Sequence, residues 1–174
     1  MNARRILIVL LLSILAFSCD SPSHHEVPKA ICGTPIDPAL TRLLVTSTKE
    51  FHEYNRVERS DAITAPCILL SENDPVLEFR FSWDDTATDL MYLATGAGSI
   101  SRVTAPRGIN LGYKSIVGTD GAISIAKCKT NGGDYFALTL QVPRIPLTDQ
   151  THRKDIERFM RAYFPATLKT LGCR

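Results

Sequence analysis

The sequence predicts an α+β domain: an antiparallel sheet of about five strands, a hairpin followed by a meander, covered by a C-terminal helix and preceded by a short N-terminal helix. Three observations carry this. Val76, Leu77, Phe79, Phe81 and Trp83 alternate with Glu78, Arg80 and Ser82, the period-two pattern of a strand with one buried face. Strand-like runs between Tyr113 and Val142 are separated by short polar turns and not by helical crossovers, so neighbours pair antiparallel. From Ile156 to Leu171 apolar residues recur at steps of three and four, the stripe of a helix that buries one side.

Taken in order, the chain opens with Arg4 and Arg5 and an apolar run from Ile6 to Phe17, broken only by Ser13 and followed by Ser18, Cys19 and Asp20. That is the layout of a secretory signal peptide. The run is too short for a bilayer span, which takes about 20 apolar residues. The expected organisation is a signal peptide over 1–18, a lipidated cysteine and flexible tether over 19–31, and one extracytoplasmic domain over 32–174. The tether, DSPSHHEVPKA, is polar and carries nothing to build a core. His24 and His25 within it lack the further ligands of a metal site. No second hydrophobic span and no internal repeat follow.

In the domain, Asp37 is placed to cap a short helix with Pro38 at its first position, running to about Thr46 through Leu40, Leu43 and Leu44. Phe51, Glu53, Asn55 and Val57 hint at an edge strand. The apolar run ITAPCILL reads as a strand that begins after Pro66. A turn over Glu72 to Pro75 then joins it to the alternating strand ending at Trp83.

Asp84, Asp85 and Asp89 raise the possibility of a calcium loop, but the segment lacks the Asp-x-Asp-x-Asp-Gly pattern and a closing glutamate. A cap at Asp84, Asp85 or Thr86 for a short helix with Leu90, Met91 and Leu93 is the better reading. Gly96-Ala97-Gly98 resembles the start of a dinucleotide fingerprint without its third glycine, so residues 96–109 read as a surface loop. Arg102 and Arg107 lie there as a weak anion-binding candidate. SIV, AISIAKC and YFALTLQV then form the meander, with turns at Gly118 to Gly121 and Asn131 to Asp134. The terminal helix starts at Asp149 or Thr151, is expected to kink or restart at Pro165, and stops at Gly172. His152 and Glu157 are assigned to its solvated side.

Leu15-Ala16-Phe17-Ser18-Cys19 resembles a bacterial lipoprotein lipobox, in which the cysteine is lipidated on sulfur and left as the new N-terminus. Ala16-Phe17-Ser18 also fits the A-x-A-like site of ordinary secretion, which releases a soluble protein from the same residue. Cysteine parity favours lipidation. Five cysteines stand at Cys19, Cys32, Cys67, Cys128 and Cys173, and thiols pair in the oxidising compartments outside the cytoplasm. With Cys19 acylated, the other four make two disulfides and none is left over. Of three connectivities, Cys32 with Cys67 and Cys128 with Cys173 is preferred, since these bridges would pin the opening segment to the hairpin and the terminal helix to its sheet. CxxC spacing is absent, which argues against thiol–disulfide exchange catalysis.

Charge narrows the function. Of 20 basic and 18 acidic residues, Arg4 and Arg5 leave with the signal, so 18 face 18 and no basic field remains for nucleic acid. There is no Gly-x-Ser-x-Gly elbow, no His-Glu-x-x-His, no Ser-x-x-Lys accompanied by its companion motifs, and no phosphate loop. A Ser/His/Asp site assembled from distant residues would have only His52 and His152 to draw on. The expectation is therefore a lipid-anchored, non-catalytic binding or structural module with no cofactor and no metal. It would be held at the membrane through its N-terminal lipid, with an envelope protein or small ligand as partner. The alternative is a secreted or tethered hydrolase with an unrecognised active site.

The lipobox-like leader ending at Cys19, the Pro/Ser tether, Cys32-Gly33, Cys67 entering a strand, Cys128 closing a strand before a polar turn, and the ending Leu171-Gly172-Cys173 together resemble actinobacterial cysteine-containing secreted lipoproteins of unknown function. That resemblance implies an envelope location and brings no catalytic residue to transfer.

Overall fold

A computed structural model describes residues 26–57, 64–96, 102–145 and 150–173. Cys19, His24 and His25 lie outside them. Strands β1 (Ala30–Ile31) and β2 (Thr34–Pro35) form a small hairpin, turned by left-handed backbone at Cys32 and Gly33 with φ of 52° and 69°. Helix α1 (Pro38–Arg42) follows; the Asp37 carboxylate caps it by accepting from the Ala39 N–H at 2.9 Å. The helix stops at Arg42, short of the expected Thr46. Beyond it, the Leu44 and Val45 amides both donate to the Thr41 carbonyl at 3.0 Å, a closing turn in place of a further helical one.

The rest is a seven-stranded antiparallel sheet with a helix on each face. Its strands are β3 (Phe51–Asn55), β4 (Thr64–Ser71), β5 (Asp74–Asp84), β6 (Arg107–Asn110), β7 (Lys114–Val117), β8 (Gly121–Thr130) and β9 (Gly133–Gln141), in the order β3-β4-β5-β9-β8-β7-β6. The hairpin β4–β5 and the meander β7–β8–β9 meet where β5 pairs with β9. That seam places Phe79 opposite Leu140, Phe81 opposite Leu138 and Trp83 opposite Phe136. Alternation sends all six to one face, and helix α3 (His152–Thr170) lies over it with Ile156, Phe159, Met160, Tyr163 and Phe164 buried. The Tyr163 ring lies 4.8 Å from that of Phe79, and its hydroxyl donates to the Ile31 carbonyl at 2.8 Å, tying the N-terminal hairpin to the helix.

On the opposite face, helix α2 (Leu90–Thr95) covers only the β7–β8 side, setting Leu90 and Ala94 against Ile116, Ile123 and Ile125. Over β3 to β5 that face carries Tyr54, Ile68, Leu70, Glu78 and Arg80, all exposed or half-buried.

Several expectations need correction. The main sheet has seven strands and not about five: β3 is a full edge strand, and β6 lies in the stretch read as loop. β4 starts at Thr64 and runs through Pro66. The proline is tolerated because it lies beyond the last residue of β3. Its carbonyl still accepts from the Arg56 N–H at 3.1 Å, and its missing N–H forfeits only the final bond of that ladder. Helix α3 continues across Pro165 without restarting. The carbonyl that loses its donor belongs to Arg161, on the exposed side, where water can take the vacated place.

The cap of α2 is Asp89, not Asp84, Asp85 or Thr86. Its Oδ1 accepts from the Met91 N–H at 2.7 Å and the Tyr92 N–H at 3.0 Å. Asp89→Ala leaves two amides at the start of a six-residue helix without an acceptor and should cost about 1 kcal/mol, read as a lowered urea midpoint at unchanged slope.

Candidate functional site

The structure concentrates side-chain chemistry in a cleft of about 370 Å³ where β4 turns into β5. Four separate parts of the chain build it. The segment after α1 brings Leu44, Val45, Ser47 and Lys49; the β4–β5 turn brings Ser71, Glu72, Asp74 and Val76; Arg144 and Ile145 follow β9; and His152 is the first residue of α3. Each piece is held locally. The Arg42 guanidinium donates to the Ser47 carbonyl at 2.8 Å and fixes the first segment. Glu72 takes the left-handed conformation at φ 56° that a tight turn needs, and its N–H donates to the Glu50 carbonyl at 3.0 Å.

The cleft is amphipathic. Its floor is Leu44, Val45, Val76 and Ile145, each no more than 8 % exposed. Its rim carries two ion pairs, Lys49 Nζ to Glu72 Oε2 at 2.7 Å and Arg144 to Asp74 Oδ2 at 2.5 Å. All four charged side chains are more than half exposed, so the pairs hold geometry more than they hold the fold. Between floor and rim, the hydroxyls of Ser47 and Ser71 hydrogen-bond at 2.6 Å, and Ser47 Oγ also accepts from the Lys49 N–H at 3.2 Å. A wider depression of about 450 Å³ lies beside Asp85, Lys127, Lys129, Asp134 and Tyr135, but it lacks a comparable apolar floor.

The structure joins Cys32 to Cys67 and Cys128 to Cys173, with Cα separations of 5.9 and 4.8 Å. The first bridge carries the one convergence of metal-type ligands among the described residues, Cys32, Cys67 and Glu53. With both sulfurs bonded to each other, what remains there is the Glu53 carboxylate, which accepts the Cys32 N–H at 2.5 Å. Asp84 and Asp89, two carboxylates of the calcium candidate, do separate work. Asp89 caps α2, while Asp84 accepts from the Thr86 N–H and the Thr88 hydroxyl, bonds that hold its carboxyl below the usual range.

Arg107 opens β6, and Arg102 contributes its carbonyl to the Gln141 amide at 2.9 Å. Nearby, Arg153 donates to the Val117 and Ala105 carbonyls at 2.8 and 3.0 Å. Burial, with the Arg107 charge adding to it, pulls its guanidinium below the ordinary value. His52 sits exposed on edge strand β3, 3.9 Å from Glu50. Glu157 pairs with Arg161 along the helix at 2.9 Å. His152 is not on a purely solvated side: it is half-buried and lines the cleft.

Of the cleft residues only His152 was singled out by the sequence. Glu72 and Asp74 read as turn residues, and Arg144 belongs to no motif in the sequence. Their convergence follows from the β5–β9 seam and has no local signature.

Compared with known proteins, the chain matches no family model, and no curated protein or solved structure is similar to it.

Proposed function

We propose that this protein is an exported module, tethered to the cell envelope by lipid on Cys19, that binds a small ligand in the cleft between Ser71 and His152. The observation that carries the binding reading is the cleft: an apolar floor with a few convergent polar groups, in the size range of ligand sites. The address is supported by the bridges. Two disulfides point to an oxidising compartment, and they consume four of five cysteines, leaving Cys19 as the odd one for acylation.

A hydrolase is the second reading, favoured by one observation, that His152 shares the cleft with Ser47 and Ser71. Against it, the two hydroxyls bond to each other, and Glu72 and Asp74 are engaged by Lys49 and Arg144. A serine nucleophile needs a base on its hydroxyl and an orienting group behind that base.

The address is tested by the intact mass of the protein recovered from membranes of its native host, before and after reduction. The expected result is acyl mass at an N-terminal Cys19 and the uptake of hydrogen for two disulfides. A soluble, unacylated product with a free Cys19 thiol would sink the tether.

A further inference from the structure

We propose that the cleft's ligand is a small organic carboxylate, its anionic head held by Lys49, Arg144 and the Ser47–Ser71 hydroxyl pair and its apolar body laid on Val45, Val76 and their neighbours. This rests on the binding reading above and narrows it to a ligand class.

The argument is a count of hydrogen-bond donors. A hydroxyl pair consumes one hydrogen, whichever serine donates, because the other oxygen accepts. Ser47 Oγ already accepts from the Lys49 N–H, so one O–H is left to point elsewhere. Where Ser47 is the donor of the pair, the spare O–H is that of Ser71, which at 5 % exposure has little access to water. Lys49 spends one of three ammonium hydrogens on Glu72, and Arg144 meets Asp74 through one terminal nitrogen, leaving most of its five donors. Donors from three side-chain types therefore converge on one cavity. Their complement is an acceptor-only group, and a carboxylate fits the planar guanidinium fork.

The carboxylates of Glu72 and Asp74 do not block such a ligand. Exposed ion pairs contribute little, so a ligand carboxylate can replace either partner at small cost. What a bare anion would leave unused is the floor, four aliphatic side chains buried beneath the rim. A ligand with an apolar body covers it and gains from the water it displaces.

The test is a titration of the mature protein, followed by amide chemical shifts, with four probes: hexanoate, hexanol, hexylammonium and inorganic phosphate. Hexanoate is expected to bind more tightly than hexanol by about two- to fivefold, the gain of a charge-assisted contact at half-exposed cations. In the double variant Lys49→Gln/Arg144→Gln, hexanoate affinity should fall by about the same factor, with hexanol unchanged as the check that floor and fold are intact. Equal binding of hexanol and hexanoate, or preference for hexylammonium, would overturn the carboxylate while leaving a binding cleft. Phosphate binding as tightly as hexanoate would overturn the role of the floor. Binding of none of the four would bring down the binding reading itself.

Discussion

Phe136→Ala is expected to destabilise the domain by about 3 to 5 kcal/mol, the range for truncating a fully buried aromatic ring. Phe136 is 0 % exposed and lies on β9 at the sheet's central seam. Its ring is 5.2 Å from Trp83, 5.8 Å from Phe81 and 5.9 Å from Phe164, the last nearly parallel. Truncation opens a cavity bounded by sheet backbone below, which the β5–β9 ladder holds in place, and by α3 above, which close packing against the rest of the sheet holds off. Against a typical total of about 5 to 15 kcal/mol, such a loss removes a large share of stability. Trp83 is the only tryptophan, is 2 % exposed and touches the lost ring, so its emission reports both the cavity and the unfolding midpoint. Phe136→Leu, which keeps much of the volume, should cost less than half as much. Equal costs for the two variants would mean that the ring stack, and not filled volume, sets the energy.

The second large effect is the loss of the bridge between β8 and the end of the chain. Cys128→Ser/Cys173→Ser should lower stability by about 3 to 4 kcal/mol, from the loop entropy restored to the unfolded chain by releasing a separation of 45 residues. The paired substitution avoids leaving a reactive thiol. Two measurements check it: the urea midpoint of the variant, and hydrogen exchange along α3. Leu171 and Cys173 lie beyond the last helical residue, Thr170, so the variant should lose protection first between Phe164 and Leu171, with Ile156 and Phe159 following only on global unfolding. Uniform loss of protection along the helix would show that the bridge supports the whole α3–sheet contact and not its end.

What was legible in the sequence was what repeats. The alternation from Val76 to Trp83 and the stripe from Ile156 to Leu171 each state one buried face many times over, and both elements lie where that pattern placed them. Single residues were less reliable. Pro66 reads as a strand start because a proline breaks ladders, yet its place beyond β3 makes the missing N–H harmless. Asp84, Asp85 and Thr86 look as good a cap as Asp89 until the backbone after Trp83 is traced. β6 is Arg-Gly-Ile-Asn, with no apolar alternation of its own, and is a strand only because β7 offers it an edge. The cleft is harder still. Lys49, Ser71 and the Arg144–His152 stretch are far apart in sequence, and each residue has an ordinary local role, so nothing short of the assembled sheet brings them to notice.

The order of the cysteines along the chain bears on how the molecule matures. The bridges join first to second and third to fourth among Cys32, Cys67, Cys128 and Cys173, neither nested nor interleaved. A chain that crosses a membrane N-terminus first presents Cys32 and Cys67 to an oxidant before Cys128 emerges. With Cys19 acylated, as proposed above, the first pairing open to such a chain is the native one, and Cys128 emerges when both earlier thiols are spent. For an exported chain whose Cys19 carries lipid, vectorial delivery would by itself select one connectivity of three, without a shuffling step.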